Sequence, residues 1–319
     1  MRVQYLGRKG VITSALRVLG QLPAEERPAQ GALANQLRTE IGQALEEARG
    51  ALARRTLDRR LVEETIDITL PGYPPTIGHP HPLIILRNDI EDIFAAMGFT
   101  MSLGPEIEDE WHNFEALNIP PGHPAREMQD SFYIDAAPTG TGRLLLRTQM
   151  SPVQIRFMRA QAGRLPVRMV APGRVYRRDD DATHSPMFHQ CEGLLVDHGI
   201  SFAHLKGVLS ALAHRLFGPS TRIRFRPSYF PFTEPSVEVD VGCTLCNGHG
   251  CRTCKQSGWV EVLGAGMVHP RVLEAGGYDP EEVSGFAFGL GIDRLAMLRY
   301  QVDDIRAFYE GDMRCSEQF

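Results

Sequence analysis

Three features of the 319-residue sequence predict an α+β fold whose sheet is mainly antiparallel and follows a helical arm. Short β-like runs succeed one another between 130 and 265 with few helical segments among them. One long stretch, 28–65, has helical apolar spacing, and Leu70-Pro-Gly-Tyr-Pro-Pro75 separates it from the rest. Strand after strand with few crossover helices favours antiparallel pairing over a doubly wound parallel sheet. Adjacent Pro and Gly suit an exposed connection, which places a helical arm at 1–70 and a second domain at 71–319.

The arm is read from Leu33, Leu37, Ile41, Leu45, Ala48 and Leu52, which recur at three- and four-residue steps and form one apolar stripe. Pro28 fits the first helical turn, and Arg54, Arg55, Arg59 and Arg60 complement the dipole at the far end. These arginines form a solvated face or a contact to an RNA backbone. A shorter helix near 10–20 packs on the long one as a hairpin. Beyond the linker, Pro82–Met97 has helical spacing and Gly98 is its stop. Phe99–Leu103 reads as a strand. Further strands are Arg143–Leu146, Val167–Val170, Arg174–Arg178, Phe188–Val196, Arg222–Arg226, Ser236–Val241 and Trp259–Leu263. Helices are expected at 152–160, 202–217 and Gly289–Tyr300.

Composition excludes some functions. A hydrophobic content of 43% with 23% charged residues is that of a folded soluble chain. A net charge of −5 argues against nucleic-acid binding through a global field and leaves local basic patches or a partner. No apolar run reaches the roughly 18 residues of a membrane span, and the N-terminus lacks a secretion signal. A cytoplasmic location without membrane association is expected, where cysteines serve as metal ligands or free thiols. Neither a Gly-x-x-x-x-Gly-Lys-Ser/Thr loop nor a strand-linked Gly-x-Gly-x-x-Gly occurs, so any nucleotide site uses another device.

Two segments supply that device. Gly173-Arg-Val-Tyr-Arg177-Arg-Asp179 runs on through His184 to Phe188-His-Gln190-Cys-Glu192, and Gly285-Phe-Ala287-Phe-Gly289-Leu-Gly291-Ile-Asp293-Arg294 follows later. A guanidinium at the end of a strand can hold phosphate bidentately, and glycines let backbone approach a ligand. Taken alone, each arginine is more often a surface or salt-bridge residue. Together the segments resemble the second and third signature motifs of class II aminoacyl-tRNA synthetases. With Gly104-Pro-Glu-Ile-Glu108, Asn113-Phe-Glu-Ala-Leu-Asn-Ile-Pro120 and His123-Pro-Ala-Arg126, the resemblance narrows to the phenylalanine–tRNA ligase alpha-subunit family and covers nearly the whole chain.

The resemblance implies a class II synthetase-type antiparallel sheet flanked by helices, after a coiled-coil arm truncated relative to the family. It implies that Arg177 and Arg294 are catalytic, on the α-phosphate and on the far end of ATP. Asp179 and His184 join them in ATP binding, and Phe188 stacks on adenine. Asp179 and Asp293 stand where the family commonly has glutamate. Ser151, Gln154, Gln190 and Glu192 would hold the ammonium and carboxylate of L-phenylalanine. Capping alone is a sufficient reason for Ser151, because Ser151-Pro152 opens a helix. Phe230 and Phe232 lie two apart, so an extended chain points both rings to one face, either as core aromatics or as a phenyl-binding wall. Ala287 would be the pocket floor.

Two metal candidates remain. Cys243-Thr-Leu-Cys246 and Cys251-Arg-Thr-Cys254 are paired cysteines separated by a glycine-containing turn, the spacing of a structural zinc site within an insert at 243–254, with free thiols as the alternative. Glu234 is implied by the resemblance to help hold Mg2+ shared with a beta subunit, with Glu238 and Asp240 as alternatives. The implied partners are that beta subunit in an α2β2 heterotetramer and tRNA(Phe). Two rivals are a related synthetase for another amino acid and a non-catalytic synthetase-like binding protein. The first should carry basic pocket groups where Phe230, Phe232 and Ala287 stand. The second should have lost Arg177, Arg294 or Glu192.

Overall fold

The computed structural model describes residues 2–21, 23–72, 78–123, 126, 131–135, 140, 142–178, 184–252 and 254–319. Its contacts divide it into two units, Met1–Thr76 and Ile77–Phe319. Residues 73–75 of the expected linker lie outside the described residues.

In the first unit α1 (Arg2–Leu6) and α2 (Val11–Val18) pack on α3 (Arg27–Glu63). Pro28 sits in the first turn of α3, where its missing N–H has no helical partner to lose. None of the α3 residues is buried, and Leu33 and Leu52 of the expected stripe are 51% and 64% exposed. Arg59 and Arg60 pair with Glu63 and Glu64 one turn on.

The second unit begins with α4 (Pro82–Ala96), whose His81 cap accepts from Leu83 N–H at 3.2 Å. Gly98 follows with φ +81°, a conformation that glycine adopts without a Cβ clash. The elements then run β1 (Thr100–Met101), β2 (Ile107–Asp109), α5 (Glu110–Asn113), β3 (Leu144–Leu146), α6 (Ser151–Gln161), β4 (Val167–Tyr176) and β5 (Met187–Asp197). After them come α7 (Phe202–Phe217), β6 (Ile223–Phe230), β7 (Thr233–Gly242), β8 (Trp259–Val268), α8 (Pro270–Gly276), β9 (Ser284–Gly291), α9 (Ile292–Tyr300) and α10 (Met313–Ser316). Seven strands form one sheet in the order β1-β4-β5-β9-β8-β7-β6. Every neighbouring pair is antiparallel except β1 with β4.

Strand periodicity gives the sheet two unlike faces. Along β9, Phe286, Phe288 and Leu290 enter a core with Phe94 of α4 and Leu205 and Leu209 of α7. The Phe94 and Phe288 rings stack with centroids 5.0 Å apart. The intervening positions are Gly285, Ala287 and Gly289, and β8 offers Gly264 and Gly266 beside them. Over the other part of that second face, Ile155 and Met158 of α6 and Val272 and Leu273 of α8 cover Met169 and Leu194.

Several expectations need correcting. The runs at 167–170 and 174–178 are one strand, β4, which passes through Pro172-Gly173. Gly173 is required there because a Cβ would stand 2.5 Å from the Arg147 guanidinium crossing it. The run at 99–103 is reduced to two residues and pairs in parallel. The run at 143–146 leaves the main sheet and pairs with the unanticipated β2. Strand β8 continues past the expected end at Leu263 to Val268, through Gly264 and Gly266. The final helix starts at Ile292, not Gly289, because Gly289 and Gly291 are hydrogen-bonded members of β9.

Gly193 of β5 lies beneath the Phe288 ring, and a Cβ there would come 2.0 Å from a ring carbon. That ring is 2% exposed and held by Phe94. Gly193→Ala should therefore lower stability by about 1–3 kcal/mol. The measurement is the denaturant midpoint at unchanged m-value. A midpoint equal to the parent's would mean the ring yields freely.

Candidate active site

A cavity of about 800 Å³ opens over the bare face of the sheet. Its centre of charge is Glu192 of β5, 6% exposed. The carboxylate accepts from Met150 N–H at 3.0 Å, from the Ser151 hydroxyl at 2.5 Å and from Gln154 Nε2 at 2.8 Å. Ser151 is thus not the helix cap that its sequence position suggested. Met150 occupies that position, and the Ser151 hydroxyl is spent on Glu192. Burial pushes the Glu192 carboxyl above the usual carboxylate range, although these donors and the Arg177 charge pull the other way.

Gln190, one strand period before Glu192, lines the same cavity. Its Oε1 is buried with no hydrogen-bond partner among the described residues. An unpaired acceptor beside a buried carboxylate is an arrangement suited to an N–H-rich cation. The apolar wall comes from the β6–β7 turn. Phe230 and Phe232 stack with centroids 5.8 Å apart and planes within 8°. The Phe230 ring lies over Gly264, where a Cβ would be 2.8 Å from it. Ala287 of β9 lines the cavity at 9% exposure. All seven residues expected to hold the amino acid therefore border this one space, as does Arg177.

Arg177 donates through Nε to the Thr148 carbonyl at 3.3 Å, and its guanidinium carbon sits 5.3 Å from the Phe188 ring centre. Phe188 and His184 are not on the cavity wall, and His184 is exposed. Arg294 is exposed on α9 and makes no ion pair among the described residues. Asp179 lies outside the described residues. Asp293 is a brace: its buried carboxylate accepts from His189 N–H at 2.6 Å and from the Tyr309 hydroxyl.

Of the metal candidates, the Sγ atoms of Cys243, Cys246, Cys251 and Cys254 lie within 4.8 Å of one another. Glu234 is 77% exposed in its side chain, and His269 Nε2 lies 3.7 Å from it. It offers one outward carboxylate. Asp240, one of the alternatives, is occupied by Arg224 and Arg226, each at 2.6 Å. A third group, Glu108, Asp109 and His112, is already engaged by Arg156, whose Nε reaches Glu108 at 2.9 Å.

Sequence reasoning missed several wall residues. Glu238 and Glu261 line the cavity, and burial followed by the Glu238 charge raises the Glu261 carboxyl. Thr148, which anchors Arg177, is fixed by Asn113 through bonds of 3.0 and 3.1 Å. The small-residue alternation Gly264-Ala265-Gly266 was the available signal for the floor. Nothing local signals the Asn113–Thr148 pair.

Residues 65–319 match the family model described as tRNA synthetases class II core domain (F). Residues 1–61 match the aminoacyl tRNA synthetase class II N-terminal domain. The phenylalanine–tRNA ligase alpha subunit of Moorella thermoacetica is 57% identical over 319 residues, covering all of this chain and 92% of that one. That of Heliobacterium modesticaldum is 58% identical over 318 residues with the same 92% coverage. Pyrrolysyl-tRNA synthetase from Desulfitobacterium hafniense, a solved structure, aligns with a TM-score of 0.56 over 94% of this chain and 93% of its own. At 16% identity that is a likeness of fold, and the sheet is accordingly of the class II synthetase type.

Glu192 generates a pH prediction. With its folded pKa raised, its contribution to stability is fully present below the unfolded pKa and is lost as pH rises through the folded one. The ligand-free protein should lose part of its unfolding free energy across that window, and Glu192→Gln should remove the loss. Parallel stability–pH curves for parent and variant would contradict the assignment.

Proposed function

This chain belongs to the phenylalanine–tRNA ligase alpha-subunit family of class II aminoacyl-tRNA synthetases, and we propose that it activates L-phenylalanine with ATP and transfers it to tRNA(Phe). The observation that carries the reading is the cavity itself. It combines a buried carboxylate, an unpaired buried carbonyl and a stacked pair of phenylalanines in one space. The α-ammonium fits Glu192 and Gln190, and the benzyl group fits against Phe230 and Phe232 with Ala287 below it. Ring contacts of this kind contribute about 0.5–1.5 kcal/mol beyond area burial. Ser151 and Gln154 hold Glu192 in place at the polar end of the cavity.

In the first step the substrate carboxylate attacks the α-phosphorus of ATP and pyrophosphate leaves. Positioning and charge stabilisation suffice for that displacement, so no side-chain nucleophile is needed. Arg177 is oriented by the Thr148 carbonyl and supplies positive charge at the polar end of the pocket. Arg294, exposed and without an ion pair among the described residues, is assigned to the distal phosphates, with His184 also on phosphate and Phe188 and Asp179 toward the base. In the second step the terminal 2′-hydroxyl of tRNA attacks the acyl carbon and AMP leaves. Magnesium, when bound, screens phosphate charge; the single outward carboxylate of Glu234 fits a site completed by a beta subunit. The four cysteines are read as ligands of a structural metal. The beta subunit in an α2β2 assembly, tRNA contact through the helical arm, and a cytoplasmic location complete the reading. Among the described residues no helix is long and apolar enough to cross a membrane.

The test is phenylalanine-dependent ATP–pyrophosphate exchange by the chain with its beta partner. Exchange with phenylalanine about a hundred-fold above tyrosine is expected, the limited discrimination an apolar pocket typically reaches against an added hydroxyl. No exchange from folded, metal-replete protein would favour the non-catalytic alternative. Ala287→Gly should extend exchange to para-halogenated phenylalanine, and no gain with that analogue would remove Ala287 from the pocket floor.

A further inference from the structure

The insert between β7 and β8 closes on itself. Cys243 N–H donates to the Gly258 carbonyl at 2.9 Å, so the two arms meet where the strands end. Gly248, Gly250 and Gly258 have φ of +84°, +99° and +76°, and Asn247, Lys255 and Gln256 are also positive. These turns bring all four sulfurs to one point. Cys243 and Cys254 are 3% and 4% exposed and pack with Val260.

The sulfur spacing identifies what the point is for. Cys243–Cys251 and Cys246–Cys254 are 3.8 Å apart, and Cys251–Cys254 are 3.6 Å apart. A disulfide requires about 2.05 Å. Four thiolates placed tetrahedrally at about 2.3 Å from a zinc ion are separated by about 3.8 Å along each edge. The backbone is also arranged for sulfur charge. Gly250 N–H points at the Cys246 sulfur (3.2 Å), and Cys251 and Gly258 N–H at that of Cys254 (3.1 and 3.3 Å). Soft ligands in a closed tetrahedral set select zinc over the hard cations that accompany ATP.

We propose that Cys243, Cys246, Cys251 and Cys254 bind one structural zinc ion that locks the outer end of the β7–β8 hairpin. Binding releases the thiol protons and leaves no open coordination position, so the metal takes no part in acyl or phosphoryl transfer. Its mechanical target is adjacent. Arg222 and Arg224 stack over the Trp259 ring at 5.2 and 4.5 Å, and the Arg222 guanidinium lies so close to Gly248 that a Cβ there would be 1.8 Å from it. The zinc-held turn and the arginine–tryptophan stack therefore support one another. This inference is independent of the catalytic reading, since it rests on the insert alone.

The experiment is metal analysis of the purified full chain with its beta partner, followed by cobalt exchange. About one zinc per alpha chain is expected, and the cobalt form should give the absorption of a tetrahedral tetrathiolate site. Stripping the metal should change Trp259 fluorescence, and zinc should restore it. Replacing Cys251 and Cys254 together by serine should reduce bound zinc at least about ten-fold. If the double variant does not fold, the parent's metal content and cobalt spectrum still decide. Parent protein that takes up no zinc and presents four titratable thiols, or that isolates with these cysteines in disulfides, overturns the proposal.

Discussion

The alternation of large side chains with almost none along β9 is the constraint on which the second unit depends. Phe286, Phe288 and Leu290 give one face of the central sheet a helix-covered core. Gly285, Ala287 and Gly289 leave the other face nearly flat, and Gly264 and Gly266 extend the flat area across β8. A sheet hydrophobic on both faces would have to be covered on both. Here the uncovered part is a strip of backbone and methyl, which carries little apolar surface to hide. The cavity exists because bulk has been moved through the sheet to its far side.

Glu192 is the converse: a group placed where folding would not choose it. A buried carboxylate loses hydration that its donors only partly restore, which pushes its carboxyl above the usual range. Ser151, Gln154 and the Met150 amide fix its position without neutralising it. A cationic ligand would supply the missing charge. Asp240, in contrast, is held low by two arginines and has no such capacity left.

Local patterns were legible in the sequence. The helix 202–217 and the long arm helix follow from periodicity, and Arg177 and the seven residues expected to hold the amino acid follow from motif words. What failed was tertiary. Strand β9 reads as a motif and not as a strand, because its glycines lower local β-propensity while one of its two partners, β5, lies about a hundred residues away in the chain. Strand β4 was split at Pro172-Gly173 because only the structure reveals Arg147 crossing there. It donates to the carbonyls of Arg174 and Gly104 and forbids a side chain at Gly173. Ser151 read equally well as a cap, and the choice was made by Glu192, which no spacing rule connects to it. The apolar stripe of α3 predicted burial, yet within its own unit that helix remains exposed.

The register of β5 against β9 bears on how the protein is made. Gln190 faces Gly291 and Glu192 faces Gly289, contacts of high sequence separation. Closing such a loop costs chain entropy before any contact repays it. The β6–β7–β8 meander has short-range pairings and can form early, with Phe230 and Phe232 already stacked at its turn. The β5–β9 pairing that seats Glu192 against Gly289 is long-range and the costlier one to close. The aromatic half of the cavity is thus built from local pairings and its charged half from distant ones.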